Sequence, residues 1–315
     1  MSATFIKAAE LWVPSHDGSL LEFGGGAFGT ARGFAAISRE LCFGCGEGLP
    51  GRAWQERQPI LLPQFEGSFF RRVAAAKAAG LTCAIALPGF VHDRLNSVLV
   101  IFCGHEPRTS GALELWRDDA GGHGELTLVD GAFGQNAQTF EMISRQTHLH
   151  RGVGLPGQAW LSGHSVFLDD LPASPGRFVR TRLAAAAGLL RGLAIPFASH
   201  AERYVVTFLA SADLPLARRI EQWTLDETQT RLRRIFAFSE LHGGASRIEA
   251  TLPLSGGAKG SIVKAWTSGT PVINDWPADE SGAPAAAAAS IGSWALLAIP
   301  VMSNGSVVEV LALYL

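Results

Sequence analysis

A nearly identical phrase recurs three times along the chain at a fixed spacing. It reads GEGLPGRAW at residues 46–54, GVGLPGQAW at residues 152–160 and, more loosely, GAKGSIVKAW at residues 257–266. The tryptophans that end the three copies are each 106 residues apart. A period of this length corresponds to a whole domain and is too long for one solenoid repeat. The spacing therefore predicts three homologous domains.

The other features of each copy follow in the same order. Each phrase precedes a short apolar run and an alanine-rich stretch that ends at glycine, and a proline stands eight residues after that glycine: Gly80 and Pro88, Gly188 and Pro196, Gly292 and Pro300. The first two copies open on ELW, and the third on EQW. These repeated spacings predict domains at 1–106, 107–212 and 213–315, of which the third is degenerate.

The local pattern of one copy predicts two strands, a short helix, two strands, a second helix and two closing strands. The glycine-rich phrase is interpreted as a turn before a strand, because glycine permits positive φ and proline stiffens a turn. The closing runs VLVIF and YVVTF are apolar on consecutive residues, which is typical of a sheet buried on both faces. The fold class is therefore α+β. We expect the repeats to pack on one another or on a second chain.

The phrase GxGLPGxxW, the strand and helix after it, an AxP segment and a closing apolar strand together resemble the GAF domain family. The resemblance covers nearly the whole chain as three tandem copies. It implies that each copy has a central antiparallel sheet with short helices and a pocket face covered by loops. GAF domains are sensory modules that hold cyclic nucleotides, bilins, haem or small metabolites. The resemblance therefore implies a sensory or regulatory protein that binds a small molecule or a partner.

Composition excludes several other classes of protein. The chain of 315 residues is 47% hydrophobic and 17% charged, which argues against disorder. Its net charge of −2 gives no indication of binding to nucleic acid or to an anionic membrane. Residues 282–308 carry no charge, but their prolines and glycines indicate a helix, a strand and a turn within a folded domain. We expect a cytoplasmic protein, since no signal peptide is recognised and four cysteines make no disulfide framework.

Aromatic and basic residues near the predicted pocket face are candidates for ligand binding. Arginines there could hold an anionic ligand, although solvated arginines and core tryptophans are the commoner arrangement. The third copy has AAAAAS where the first two have basic residues, so the first two pockets are the better candidates. The candidate ligand-binding residues are Trp54, Phe69, Arg71, Arg72, Trp160, Arg177, Phe178 and Arg180.

Thiol chemistry is the alternative function, because a small branch of GAF-fold proteins reduces free methionine sulfoxide with cysteines. Cys42, Cys45 and Cys83 are the candidate catalytic residues, and inert thiols are the competing interpretation. His148 and His150 alternate on a predicted strand, but further ligands for a metal are not recognisable. We expect no metal site, and the residues identify no cofactor.

The chain stops inside its last predicted strand, and no kinase, cyclase or DNA-binding segment is recognised. We therefore expect a binding module rather than an enzyme, with signalling output in a separate protein and a homo-oligomer through the sheet back faces. A third possibility is a structural scaffold whose pockets are filled by its own side chains.

Overall fold

A computed structural model describes residues 4–91, 93–105, 111–118, 124–199, 202–245, 249–254, 260–276 and 280–315. Three sheets follow one another along the chain, within residues 6–103, 111–210 and 219–314. The sequence DDAGGHG at residues 118–124 predicts a hairpin turn between two strands, and most of that turn lies outside the described residues. The exact domain boundaries stay a prediction.

The first two domains have the same nine elements. In the first they are β1 (Ile6–Pro14), β2 (Leu20–Ala27), α1 (Arg32–Arg39), β3 (Cys42–Gly44), α2 (Gly48–Glu56), β4 (Ile60–Leu62), α3 (Val73–Ala78), β5 (Cys83–Val91) and β6 (Arg94–Cys103). In the second they are β7 (Gly111–Asp118), β8 (Glu125–Phe133), α4 (Gln138–Gln146), β9 (His148–His150), α5 (Gly154–Ser162), β10 (Val166–Leu168), α6 (Thr181–Ala186), β11 (Arg191–Ser199) and β12 (Glu202–Ala210).

The third domain differs between its second strand and its first helix. Its elements are β13 (Arg219–Leu225), β14 (Arg231–Ser239), β15 (Gly244–Ala245), β16 (Thr251–Pro253), α7 (Ser261–Ser268), β17 (Val272–Asn274), α8 (Gly282–Ile291), β18 (Leu296–Ser303) and β19 (Ser306–Tyr314). Among the residues that the structure describes, no helix follows β14, where the first two domains have α1 and α4.

All three sheets are antiparallel and share one strand order. The orders are β3-β2-β1-β6-β5-β4, then β9-β8-β7-β12-β11-β10, then β15-β14-β13-β19-β18-β17, with β16 also paired to β14. The closing hairpin of each domain lies inside its sheet, and the short strand after the glycine-rich phrase forms one edge. This architecture confirms the predicted α+β class, with a central antiparallel sheet and short helices in each of three domains.

Most of the glycine-rich phrase is helical, which the sequence did not predict; the predicted turn with positive φ is confined to its start, at Gly46 and Gly152. It forms α2, α5 and α7, so each phrase adds a helix that the predicted element order lacks. Close packing explains the last glycine of each phrase in the first two domains: a Cβ on Gly51 would lie 2.1 Å from the carbonyl oxygen of Gly44, and one on Gly157 would lie 2.5 Å from that of His150. Only glycine allows the helix to approach the preceding strand this closely.

The back faces of the three sheets pack against one another. One continuous core contains side chains from every domain, among them Ile101, Val206 and Leu313, all fully buried. Three separate clusters lie on the opposite, front faces, around Trp12, Trp116 and Trp223. The repeats therefore cover one another, as one of the two predicted arrangements requires, and no second copy of the chain is needed for this purpose.

The contacts between domains close into a ring with approximate threefold symmetry. The edge strand β4 contacts β8, β17 contacts β2, and Phe167 of β10 lies 4.9 Å from the Phe238 ring of β14. A residue one or two positions before each edge strand bonds to the closing hairpin of a neighbouring domain. Gln58 Oε1 accepts from Tyr204 Oη at 2.7 Å, Thr270 Oγ1 accepts from Asn96 Nδ2 at 2.6 Å, and Ser165 Oγ donates to Glu309 Oε1. Each domain thus touches both of the others.

The uncharged stretch 282–308 forms α8, β18 and the start of β19, as the sequence predicts. Within the described residues, no helix combines the length and the apolar character that crossing a membrane requires.

Candidate functional site

A buried carboxylate lies at the centre of each front face. It belongs to the glutamate of the ELW and EQW motifs, Glu10, Glu114 and Glu221, all of which are fully buried. The tryptophan of the same motif donates its indole N–H to that carboxylate, over 3.0, 3.1 and 3.0 Å in the three domains. A buried carboxylate is stable only when a cation and hydrogen bonds compensate its charge.

In the first domain the cation comes from the residue directly before α3. Arg72 binds both oxygens of Glu10, with Nη1 to Oε1 at 2.5 Å and Nη2 to Oε2 at 2.9 Å, and Ser38 donates to the same carboxylate. The guanidinium lies 4.4 Å from the centre of the Phe34 ring and near three other aromatic rings. This ion pair and its aromatic neighbours fill the space between the sheet and its helices.

The second domain repeats the arrangement with equivalent residues. Arg180 binds Glu114 at 2.5 and 2.9 Å, contacts Ser144, and packs against the Phe140 and Phe178 rings. Arg72 and Arg180 were predicted as ligand-binding residues on a pocket-facing helix. The structure gives both a structural role, because their side chains are about 96% buried and each pairs with its own carboxylate.

The other predicted ligand-binding residues do not converge on one space. Arg71 is exposed and paired with Glu47, and the exposed Arg177 bonds to Gln158. The remaining four are aromatic: Trp54 and Phe69 are half-buried, with Phe69 beneath the Arg52 guanidinium, while Trp160 and Phe178 are buried in the second domain's core. A role for these residues in ligand binding stays a prediction.

The third domain has lost the helix arginine and supplies the cations from its sheet. Pro284 stands eight residues before Gly292, at the position that Arg72 and Arg180 have relative to their glycines. Arg219 Nε and Arg234 Nη1 instead each donate to Glu221 Oε1 over 2.7 Å. The floor of this front face therefore has two guanidiniums around one carboxylate, where the first two domains have one.

A tyrosine completes this cluster. Tyr314 donates its hydroxyl to Glu221 Oε2 over 3.0 Å. Burial, together with the neighbouring carboxylate, raises the pKa of Tyr314 well above its ordinary value, so the hydroxyl remains a neutral donor. Glu221 consequently accepts four hydrogen bonds and is held rigidly beneath the front face.

A pocket of about 510 Å³ opens above this cluster. Its volume lies in the range of small-molecule binding sites. Pro284 stands where the first two domains have the arginine that fills the front face, and among the described residues no helix follows β14 to cover it. The pocket is lined by Arg219, Arg234, Ser239, His242, Gly244, Glu249, Ala250, Ala283, Ala286, Ala287 and Ser290. The expectation from sequence favoured the first two domains for ligand binding, and this pocket lies in the third.

Arg219 presents unused donors to the pocket. Its Nε is bound to Glu221, and neither Nη1 nor Nη2 makes a hydrogen bond with the residues that the structure describes. Both nitrogens retain some solvent-accessible surface, although the residue as a whole is only 8% exposed. A guanidinium anchored at one nitrogen and open at the other two is suited to bind a carboxylate or a phosphate through two hydrogen bonds.

The three candidate catalytic cysteines lie in different parts of the first domain. Cys42 and Cys45 are exposed near the edge strand β3, whereas Cys83 is fully buried on β5 in the core between the domains. Four strand spacings separate β3 from β5, about 19 Å along the sheet. A disulfide requires Cα atoms within about 7 Å. Cys83 instead lies opposite Cys103 on the adjacent strand β6. Burial raises the pKa of Cys103 well above its ordinary value.

The two strand histidines flank one carboxylate. His148 Nδ1 and His150 Nε2 lie 3.1 and 3.4 Å from the two oxygens of Glu125 on the adjacent strand β8. Among the described residues no group of three or more such side chains is arranged to hold a metal ion.

Sequence reasoning missed Arg219, Arg234 and Glu221 as site residues. A signal was present, since EQW keeps the glutamate of ELW while the alanine-rich helix has lost its arginine. A buried glutamate without its usual cation requires another one, and the flanking strands contain both arginines.

Comparison with known proteins yields matches among solved structures only. No family model matches the chain, and no curated protein matches it. The GAF domain of A. aeolicus nlh2, in an inactive state, matches 32% of this chain over 59% of its own length, at 19% identity and a TM-score of 0.26.

Two further solved structures match to a similar extent. The free methionine-R-sulfoxide reductase from Neisseria meningitidis, in complex with its substrate, matches 32% of this chain over 53% of its own length, at 14% identity and a TM-score of 0.26. The GAF domain/HD domain protein from Geobacter sulfurreducens matches 31% of this chain over 63% of its own length, at 14% identity and a TM-score of 0.27. Each match covers less than two thirds of the other protein.

Proposed function

We propose that this chain of three tandem GAF-like domains is a non-enzymatic sensory protein whose ligand is a small organic anion bound in the third domain. The observation that carries the proposal is the Arg219 side chain, which holds Glu221 through Nε and directs two open donors into a pocket of about 510 Å³. The first two domains contribute the same fold, with their front faces filled by Arg72 and Arg180.

The chemistry of the pocket defines the ligand class. Arg219 offers the pocket two donors that its bond to Glu221 leaves open, and a planar carboxylate or a phosphate matches this guanidinium geometry. The alanine side chains of α8 offer an apolar wall for the ligand's body, while Ser239 and His242 supply polar groups at one side. A carboxylate or phosphate ester of a small metabolite combines these features.

The pocket is connected to the ring of domains. Arg219 begins β13, which pairs with β19, and β19 contains Glu309, the residue that bonds to Ser165 of the second domain. Binding at the floor therefore acts on a strand that also forms a domain interface. We propose that this contact passes the signal to the rest of the ring, and from there to a separate partner protein.

Native mass spectrometry of the purified protein and of Arg219→Met tests the proposal. We expect the wild-type protein to carry a small anion, or to be stabilised against heat by members of a panel of carboxylates and phosphates, and the variant to lose the effect. Arg71→Met, which removes an exposed arginine of the first domain, is the matched control. If the variant keeps the anion or responds to the panel like the wild type, the proposal is wrong.

A further inference from the structure

A second cavity lies on the axis of the ring, away from the third-domain pocket. The hairpins β5–β6, β11–β12 and β18–β19 surround a space of about 170 Å³. Equivalent positions of the three domains form its wall, namely the proline of each AxP segment and the aliphatic residue before it: Leu87 and Pro88, Ile195 and Pro196, Ile299 and Pro300. The repeated proline therefore lines a site that exists only when all three domains assemble.

Small residues in the first domain create the space. Gly89 pairs with Ser97 across β5–β6, where the second domain pairs Phe197 with Tyr204 and the third has Glu309 opposite a valine. Tyr204 and Glu309 both reach a neighbouring domain with a hydrogen bond. Ser97 is too short to do so, and the volume that a large side chain would occupy remains open.

The cavity is apolar apart from a few polar groups. None of its described lining residues is charged, so an ion inside it would have no compensating charge. Ser97 is 1% exposed, and its hydroxyl makes no hydrogen bond with the described residues. The hydroxyl oxygen retains a small accessible surface, and this surface faces the cavity. Asn96 also lines the cavity and donates to Thr270, which leaves its carbonyl oxygen as a further acceptor.

We propose that this axial cavity binds a small, uncharged, mostly apolar molecule with one hydroxyl group, the hydroxyl bonding to Ser97. The volume sets the size, because an apolar cavity of about 150 Å³ accommodates a benzene ring. Met302 at the wall adapts its shape to such a ligand. Since residues of three domains form the site, its occupancy stabilises the closed ring.

Calorimetric titration of the full chain with phenol and with benzene tests the proposal. We expect phenol to bind the wild-type protein and Ser97→Tyr, which fills the space as the second domain does, to abolish binding. Ser97→Ala keeps the space but removes the hydroxyl, so phenol should bind about fivefold more weakly while benzene is unaffected. Arg219→Met should bind phenol like the wild type, which separates this site from the third-domain pocket.

Crystals of the wild type pressurised with xenon provide the second readout. Xenon on the axis between Pro88, Pro196 and Pro300 is the expected result. The proposal is overturned if Ser97→Tyr binds phenol as the wild type does. It is also overturned if neither phenol nor xenon enters the cavity, in which case ordered water is the partner of Ser97.

Discussion

Removing Arg180 and removing Arg219 should have very different effects on stability, although both arginines bind a buried glutamate. Within the part of the chain that the structure describes, Arg180 is the one guanidinium bonded to Glu114, and it binds both carboxylate oxygens. Replacing it with methionine keeps apolar contacts with its aromatic neighbours but leaves a fully buried carboxylate without a cation. Breaking a buried pair in this way lowers the free energy of unfolding by about 3–5 kcal/mol.

Arg219→Met should have a smaller effect, because Glu221 keeps three of its four donors. Arg234, Trp223 and Tyr314 still bind the carboxylate, and the lost bond is one charge-assisted hydrogen bond beside an open pocket. A hydrogen bond to a charged group contributes about 1.5–3 kcal/mol, and water in the pocket replaces part of it. We expect a loss of about 1 kcal/mol.

Urea titration at pH 7, followed by tryptophan fluorescence, measures both losses. The double variant Glu114→Gln/Arg180→Met should recover most of the stability lost in Arg180→Met, since no buried charge remains. The reasoning is refuted if the two single variants lose the same free energy, or if the double variant is no more stable than Arg180→Met.

Two further predictions concern packing and pH. Gly51→Ala should lower the free energy of unfolding by more than about 3 kcal/mol in a urea titration, because its methyl group would overlap the Gly44 carbonyl. Gly33→Ala, which adds a methyl group in open space on α1, should cause no comparable loss. Equal losses in the two variants would contradict the packing argument. Burial raises the pKa of Glu309 to about 7, from 4.5 in the unfolded chain, so its stabilising contribution is complete below pH 4.5 and is lost as the pH rises through 7. The wild type should therefore lose about 3 kcal/mol more than Glu309→Gln between pH 4.5 and 8 in parallel urea titrations, and identical pH profiles would refute this.

The three-domain organisation could be predicted because it depends on spacing, which the sequence displays directly. The helical state of the glycine-rich phrase could not, since glycine and proline both disfavour helices. What selects the helix there is the close approach of Gly51 to Gly44, a tertiary contact that local propensity does not contain. The sequence likewise identified Arg72 as a candidate without showing that its partner is Glu10, 62 residues away.

The third-domain site was missed for a related reason. Arg219 and Arg234 lie on different strands and meet at Glu221 only through the register of β13 and β14, which places Arg234 opposite Trp223. The alanine-rich helix was interpreted as a sign of a degenerate domain. The loss of its arginine, together with the absence of a helix after β14 among the described residues, leaves the pocket open.

Anion binding at Arg219 is the central claim, and anomalous diffraction from crystals soaked in sodium bromide tests it most directly. The account predicts a bromide ion in the third-domain pocket, within hydrogen-bonding reach of Arg219 Nη1 and Nη2, in wild-type crystals. Arg219→Met crystals soaked in the same way should lack that ion. A pocket without bromide in the wild type, or an equally occupied site in the variant, would contradict the account.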